Sequence, residues 1–336
     1  MRDQVAFDQF LRDHQLATPA EEATWHPLTG GVSSEIWRVD LPGRSICVKR
    51  ALPQLKVADH WRVSVSRNAY EWQWLCFAAR HQPQAVPQPL AHDVEAGLFA
   101  MSFLAPEQYP VWKSQLLQGS VVPEFAARVG SLLGQLHSAS ANRPDLASEF
   151  DSLENFHALR LEPYLLAAAQ RHPDLASRLQ TLVTNTAAVK QALVHGDVSP
   201  KNILAGPQGP VLLDAECAWY GDAAFDLAFC LNHLLLKSVA RPEHAHVLLQ
   251  SYGEFVESYF ECAHFDARSR TEARAAALLP GLMLARIDGK SPVEYLQGHP
   301  LQQDLVRRVA RLLLKDPVSS LAAISARWSG EIGALK

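Results

Sequence analysis

The sequence has no paired cysteines at metal-binding spacing. Its five cysteines, Cys47, Cys76, Cys217, Cys230 and Cys262, include no Cys-x-x-Cys. An odd number scattered through apolar segments argues against a disulfide framework and against structural zinc. Reduced thiols in a cytoplasmic protein are the expectation. An excess of one charge is also missing, because 31 Lys and Arg face 35 Asp and Glu, for a formal net charge of -4. No whole-protein basic field exists to attract a polyanion, so a nucleic-acid partner is not expected. The apolar run from Phe225 to Leu236 is too short to cross a bilayer. The opening MRDQVAFDQFLRDHQ carries acids in an amphipathic pattern and lacks the apolar stretch of a secretory signal. Neither a membrane partner nor export is therefore expected. No internal repeat or low-complexity tract is evident.

What is present describes a globular chain. Of 336 residues, 48% are hydrophobic and 20% charged, enough apolar surface for a sizeable core and too little charge for disorder. The length permits one large unit or two unequal lobes. Short apolar runs at Glu35 to Leu41, Ser45 to Arg50, Leu90 to Val94 and Leu98 to Phe103 fit strands, with Pro42-Gly43 and Ala96-Gly97 at the reversals. Between the second and third, Ser66 to His81 repeats apolar residues at helical spacing, so one helix crosses a small antiparallel sheet.

Strand texture ends in the proline-bearing FLAPEQYP, and from Val121 onward helical stripes dominate, among them EFAARVGSLLGQLHSA, PYLLAAAQRH and LVRRVARLLL. One interruption, Leu193 to Asp214, places LVHGD and PVLLDAE as short strands flanking a polar loop with Gly206 and Gly209. Polar residues gathered in a short hairpin within a helical region mark chemistry, since loops on a rigid scaffold carry function. The expected division is a strand-rich lobe over 1–103 and a helical lobe over 104–336.

Four elements in order carry that chemistry. LTGGVSSE precedes a strand, and Gly30 and Gly31 would let the backbone approach a phosphate, though two glycines serve a plain turn as readily. Lys49 sits within the strand ICVKR and Glu71 on the following helix; a strand lysine held by a helix carboxylate can aim its ammonium at nucleotide phosphates. In HGDVSPKN, Asp197 could orient an incoming hydroxyl and take its proton, and Asn202 could give a neutral oxygen to Mg²⁺. A capped turn explains either residue singly but not the pattern. Asp214 ends an apolar strand close by, where a hard oxygen ligand belongs, and Glu216 could ligate through water or cap a turn. Asp226, opening FDLAFCLNHLLLK, is expected as a helix N-cap and an anchor for the neighbouring loop.

This order resembles the aminoglycoside phosphotransferase and choline kinase family, small-molecule kinases with a protein-kinase-like fold. GDAAFDLA and VGSLLGQLHS add to the resemblance, which runs from Thr29 to about Leu236. It implies an α+β fold with two lobes, a small antiparallel sheet plus helix followed by a mainly helical lobe. It also implies ATP and Mg²⁺ as cofactors. Gly30, Gly31, Ser33 and Ser34 would form the phosphate loop, Lys49 would pair with Glu71, and Met101 to Leu104 would be the hinge receiving adenine. Asp197 would be the catalytic aspartate, with Asn202 and Asp214 as metal ligands. Gly196 and LDAE depart from the Arg and Asp-Phe-Gly of protein kinases, so a protein substrate is not expected.

The implied reaction moves the γ-phosphate of ATP to a hydroxyl of a small molecule. A catalytically inactive nucleotide-binding regulator of the same fold is the alternative. A metallophosphoesterase using His195, Asp197, Asn232 and His233 would need more ligands in a strand sandwich, and the flanks here are helical. Trp219, Tyr220, Arg286 and Asp288 are candidates for acceptor binding, weighed against core packing for the aromatic pair and a surface ion pair for the charged one. Ser291, Pro292 and Glu294 form a capping-box signature that predicts a helix start. Aminoglycosides want an acidic pocket and choline an aromatic box; a sugar or amino-alcohol hydroxyl, as in methylthioribose, homoserine or fructosamine phosphorylation, fits as well. Methylthioribose kinases tend to lack an asparagine at the place of Asn202, which sets them further off.

Overall fold

A computed structural model describes residues 2–28, 34–52 and 67–333. The amphipathic opening is helix α1 (Arg2–Asp13), followed by strand β1 (Thr24–Leu28), whose Pro27 is tolerated because the strand lies at a sheet edge. Next come β2 (Ser34–Leu41), β3 (Arg44–Ala51), helix α2 (Arg67–His81), β4 (Pro89–Asp93) and β5 (Leu98–Ser102). The five strands are antiparallel in the order β1-β2-β3-β5-β4. The expected strands and helix therefore stand within a residue or two of their predicted bounds, with β1 added.

Because β3 is the central strand, its alternation separates two environments. Ile46 and Val48 join Phe7, Phe10 and Leu11 of α1 in a core on the outer face. Cys47 and Lys49 point the other way, into the cleft. Helix α2 covers the inner side and sends Trp74, Leu75, Phe77 and Ala78 into the core of the helical region.

Beyond β5 the chain forms α3 (Trp112–Leu117), α4 (Pro123–Ser140) and α5 (Pro144–Glu149). One continuous helical rod then runs from α6 (Leu153–Phe156) through a π-wound stretch, His157–Leu166, into α7 (Ala167–Arg171). The sequence suggests a helix beginning at Pro163; in the structure that proline lies mid-helix. Lacking an N-H, it forfeits the usual backbone bond, and the helix widens around it.

After α8 (Ala176–Ala188), the strands β6 (Ala192–Val194), β7 (Ile203–Gly206), β8 (Gly209–Leu212) and β9 (Trp219–Gly221) lead to α9 (Ala224–Ala240), α10 (Ala245–Cys262), α11 (Arg268–Asp288), α12 (Pro300–Lys315) and α13 (Leu321–Gly333). Helix α9 is buried from Ala224 to Val239 and forms the axis of this region. Helices α4 and α10 cross so closely that a Cβ on Gly130 would stand 2.3 Å from the Phe255 carbonyl oxygen.

Two expectations are corrected here. LVHGD and PVLLDAE do not pair with each other: β7 pairs with β8 and β6 with β9, giving two ribbons. Segment 195–202 is thereby pinned at both ends between separate ribbons. The capping box at Ser291 and Glu294 does not form, because Ser291 Oγ accepts from Arg286 and Glu294 pairs with Lys113. Only a single 3₁₀ turn, Glu294–Leu296, follows there, and the next helix starts at Pro300. The five cysteines are all free, and no helix among the described residues is long and apolar enough to cross a membrane.

Candidate active site

The cleft between sheet and helices holds about 470 Å³ and is lined by Ile36, Lys49, Met101, Leu104, Asn202 and Asp214, among others. On its sheet side, Lys49 Nζ lies 2.7 Å from Glu71 Oε1 of α2. The same ammonium donates to Asp214 Oδ1. Asp214 follows β8 with φ at 67°, in the left-handed region, where aspartate is one of the few residues other than glycine found routinely. Such backbone strain persists where surrounding contacts fix it, and here the Lys49 contact does so.

Lys49 and Glu71 are almost wholly buried. Burial raises the Glu71 carboxyl to about 7 in spite of Lys49. Burial also weighs against the Asp214 carboxylate, but Lys49 and then Lys201 outweigh it and hold Asp214 well below the usual range. Of the two acids sharing one ammonium, Asp214 keeps its charge and Glu71 takes a proton first.

This sets a pH dependence with a defined sign. The unfolded chain releases the Glu71 proton near 4.5 and the folded chain near 7, so this group's contribution to stability is full below about 4.5 and is lost as pH rises to about 7. Urea midpoints measured from pH 5 to 8 should fall more steeply for the wild type than for Glu71→Gln. Parallel profiles for the two proteins would refute the assignment.

On the helical side, segment 195–202 presents Asp197. Its Oδ2 meets Arg160 Nη2 at 2.8 Å and Lys201 Nζ at 3.1 Å. Burial works against its charge, yet Arg160 and Lys201 prevail and its pKa is lowered. Arg160 Nε also donates to the Gly196 carbonyl at 2.6 Å, so one guanidinium grips both the aspartate and the backbone before it. Gly196 has φ at 78°, and a Cβ there would stand 2.6 Å from the Cys217 carbonyl oxygen. No side chain fits where protein kinases carry their arginine; Arg160 arrives instead from the π-wound stretch.

The loop's backbone is fixed from below. Asp226 accepts from the His195 and Gly196 amides at 2.7 and 2.8 Å. It is thus the expected anchor, but it is not the N-cap: it sits inside α9, and Asp222 Oδ1 accepts from the Ala224 amide near the helix start instead. His195 Nδ1 accepts from the Asp197 amide at 3.1 Å, and Nε2 lies 3.1 Å from the Leu213 carbonyl. Those partners demand a neutral ring, and burial lowers the His195 pKa accordingly. His195 braces the loop. Asn202 Nδ2 donates to the Asp197 carbonyl at 3.1 Å, and the Leu213 amide donates to the Asn202 carbonyl at 2.9 Å. Asp197, Asn202 and Asp214 are in this way tied into one unit.

The hinge candidates Met101 and Leu104 both line the cleft, and Leu104 makes no backbone hydrogen bond to another described residue. Ser34 is buried and lines the cleft as well. Gly30, Gly31 and Ser33 lie outside the described residues. Glu216 Oε2 accepts from Arg67 Nε at 3.1 Å. Trp219 is a core residue, stacked on Phe156 with centroids 4.4 Å apart, and Tyr220 bonds through its hydroxyl to the Gln191 carbonyl. The expected ion pair between Arg286 and Asp288 does not form. Asp288 accepts from Arg307 and His172, and Arg286 turns inward to Tyr164.

Sequence reasoning missed Arg160 and Lys201. Lys201 lies within HGDVSPKN and its i, i+4 spacing from Asp197 was a usable signal. Arg160 had only its place between two leucines, three residues before a proline. Replacing Arg160 with methionine should raise the Asp197 pKa, because its strongest cationic neighbour is removed. The acidic limb of a kcat against pH profile should then move to higher pH, whereas a role confined to packing would lower activity with the limb unmoved.

The pattern that defines the phosphotransferase enzyme family matches residues 24–265. The methylthioribose kinase of Bacillus cereus (strain AH820) is 24% identical over 283 residues, covering 76% of this chain and 72% of that protein. Such kinases are thus among the relatives, although the asparagine at 202 had suggested greater distance. Among solved structures, the ethanolamine kinase of Plasmodium vivax has a TM-score of 0.58 at 11% identity, covering 89% of this chain and 86% of its own. The choline kinase of Cryptosporidium parvum Iowa II has a TM-score of 0.56 at 11% identity, with 93% and 97% covered. At these identities the shared property is the two-lobed kinase-like fold.

Proposed function

Because the chain belongs to the phosphotransferase enzyme family, whose relatives are small-molecule kinases, we propose that it transfers the γ-phosphoryl group of ATP to a hydroxyl of a small molecule, with Mg²⁺ as cofactor. The observation that carries this reading is the opposition, across one cleft, of Lys49 with its two carboxylates and Asp197 with its two cations. Residues 1–103 bind the nucleotide in this reading, and 104–336 hold catalysis and acceptor.

Among the described residues, no three His, Cys, Asp or Glu side chains gather to hold a metal. Asn202 and Asp214 offer an incomplete set of hard oxygen donors, as suits Mg²⁺, which is commonly completed by substrate phosphates and water. Bound there, Mg²⁺ would offset phosphate charge. Lys49, positioned by Glu71, meets the phosphates with its ammonium. The open backbone at Leu104 receives the adenine edge, and the buried Ser34 stands at the phosphate end. Gly30, Gly31 and Ser33 complete the phosphate loop in this assignment.

Asp197, ionised through Arg160 and Lys201, accepts a hydrogen bond from the acceptor hydroxyl and points its oxygen at the γ-phosphorus. As the new O–P bond forms and the bond to the bridging oxygen breaks, the hydroxyl proton passes to Asp197 and ADP leaves. Catalysis is positioning and charge placement, the pattern for phosphoryl transfer generally. A coupled assay of ADP formation over a panel of small hydroxyl metabolites tests the reading. Acceptor-dependent, Mg²⁺-dependent ADP formation is expected. Nucleotide binding without turnover on any acceptor would favour a regulator of the same fold.

A further inference from the structure

Beside the catalytic loop, the helical lobe buries two cations with no ion-pair partner among the described residues, Glu294 being the nearby carboxylate that acts on both. Arg160 and Lys201 share Asp197, and Lys113 pairs with Glu294. Lys237 of α9 is 1% exposed and Arg286 of α11 is 9% exposed. Neither makes an ion pair with a described residue. Lys237 Nζ rests 4.8 Å from the Tyr295 ring centroid. Arg286 Nη1 reaches the Tyr164 hydroxyl at 3.2 Å and Ser291 Oγ at 2.9 Å. Its Nε and the Tyr295 hydroxyl are buried with no hydrogen-bond partner among the described residues.

This group is continuous with the catalytic centre. The Arg160 guanidinium that holds Asp197 lies 5.8 Å from the Tyr164 ring centroid, and Arg286 lies 5.5 Å from the same centroid. Phe229, also under Arg160, contacts His233 one turn before Lys237 on the same face of α9. Burial and then Lys237, Arg286, Lys201 and Lys113 push His233 well below its ordinary pKa, so that ring adds no charge. Burial and Lys113 likewise push the Lys237 amine down to about 7. A buried cation without an ion-pair partner is costly, and a bound anion would supply the missing charge.

We propose that the acceptor is an anion, a hydroxyl compound bearing a carboxylate or phosphate group, held through that group by Lys237 and Arg286 while its hydroxyl faces Asp197. This deepens the kinase reading and rests on it for the role of Asp197. It excludes the cationic acceptors, aminoglycosides and choline, that the sequence leaves open: this wall repels them. Tyr295 and the Arg286 Nε complete the recognition by hydrogen bonding to the same oxyanion.

The test is equilibrium binding to the ADP-saturated protein, so that anions cannot enter the nucleotide cleft. The probes are glucuronate and glucose 6-phosphate against glucose, glycerate and glycerol 3-phosphate against glycerol, and inorganic phosphate alone. At least one anionic probe should bind about tenfold or more tightly than its neutral counterpart. The carboxylate and phosphate arms identify which group is recognised. Lys237→Met and Arg286→Met should each remove that preference with ADP affinity unchanged, and Lys237→Arg should retain it.

Below about pH 7, where Lys237 carries its charge, Lys237→Met should also raise the apparent Tm of the probe-free protein, since an unbalanced buried cation has been removed. The proposal is overturned if no anionic probe binds, if neutral probes bind as well, if either methionine variant binds anions like the wild type, or if Lys237→Met lowers Tm at a pH below about 7. None of these readouts needs turnover. A protein that binds anions as stated but transfers no phosphate would refute the kinase reading and leave the anion site standing.

Discussion

Asp197→Asn is expected to lower kcat by about 10²–10⁴-fold, the usual range for removal of a positioned proton acceptor, with ADP affinity nearly unchanged. The asparagine keeps the shape but can neither take the hydroxyl proton nor answer Arg160 and Lys201, which approach at 2.8 and 3.1 Å. The buried Arg160 would lose its ion-pair partner among the described residues while retaining the Gly196 carbonyl, so the urea midpoint should drop as well. Measuring nucleotide binding alongside turnover separates the two effects. Retention of more than about a tenth of wild-type kcat would remove Asp197 from the proton-accepting role.

Lys49→Met has the second large effect, and it falls on stability as well as on the nucleotide. The methionine leaves Glu71 and Asp214 facing each other with no cation between them. Removing one partner of a buried ion pair commonly costs about 3–5 kcal/mol. Glu71, already raised to about 7 by burial, can neutralise itself by taking a proton, so the loss should be greatest above pH 7 and smaller at pH 6. Urea unfolding at both values checks this. Equal losses at the two values, or no loss, would mean that Lys49 is not what balances these acids. In the same variant, kcat/KM for ATP should fall sharply, since the ammonium that meets the phosphates is gone.

The sequence disclosed those interactions whose partners lie within one element or one short connection. Alternation and the Pro42-Gly43 reversal located β2 and β3, and Lys49 stood out as a cation in an apolar strand. HGDVSPKN is a local motif, so Asp197, Asn202 and the nearby Asp214 were legible together. Interactions made across the fold left no such signal. Glu216 and Arg67 are 149 positions apart, and nothing near either residue specified the other. Lys237 sits in an apolar run of α9, where a cation looks like an ordinary interruption of a stripe, whereas Arg286 stood among the acceptor candidates with no signal for its contact to Tyr164. Ser291 shows the opposite failure: a convincing local signature was overridden because Arg286 occupied its hydroxyl. Trp219 and Tyr220, close in sequence to the strand that leads to Asp214, are held in the core where β9 pairs with β6.

Arg160 has a consequence for how such an enzyme could change its substrate. Its guanidinium belongs to the helical rod that borders the proposed acceptor site, yet it holds Asp197, the proposed catalytic aspartate, and the carbonyl beside it. Acceptor preference and catalytic competence are therefore not separable modules. Transplanting the 153–171 segment from a homologue, the obvious route to a new specificity, would also transplant or delete the aspartate's guanidinium. Directed evolution of this chain should find that accepted changes in the rod spare position 160 and the π-wound geometry that aims it, and that diversity accumulates instead on α11 and α12, whose described residues make no ion pair with Asp197.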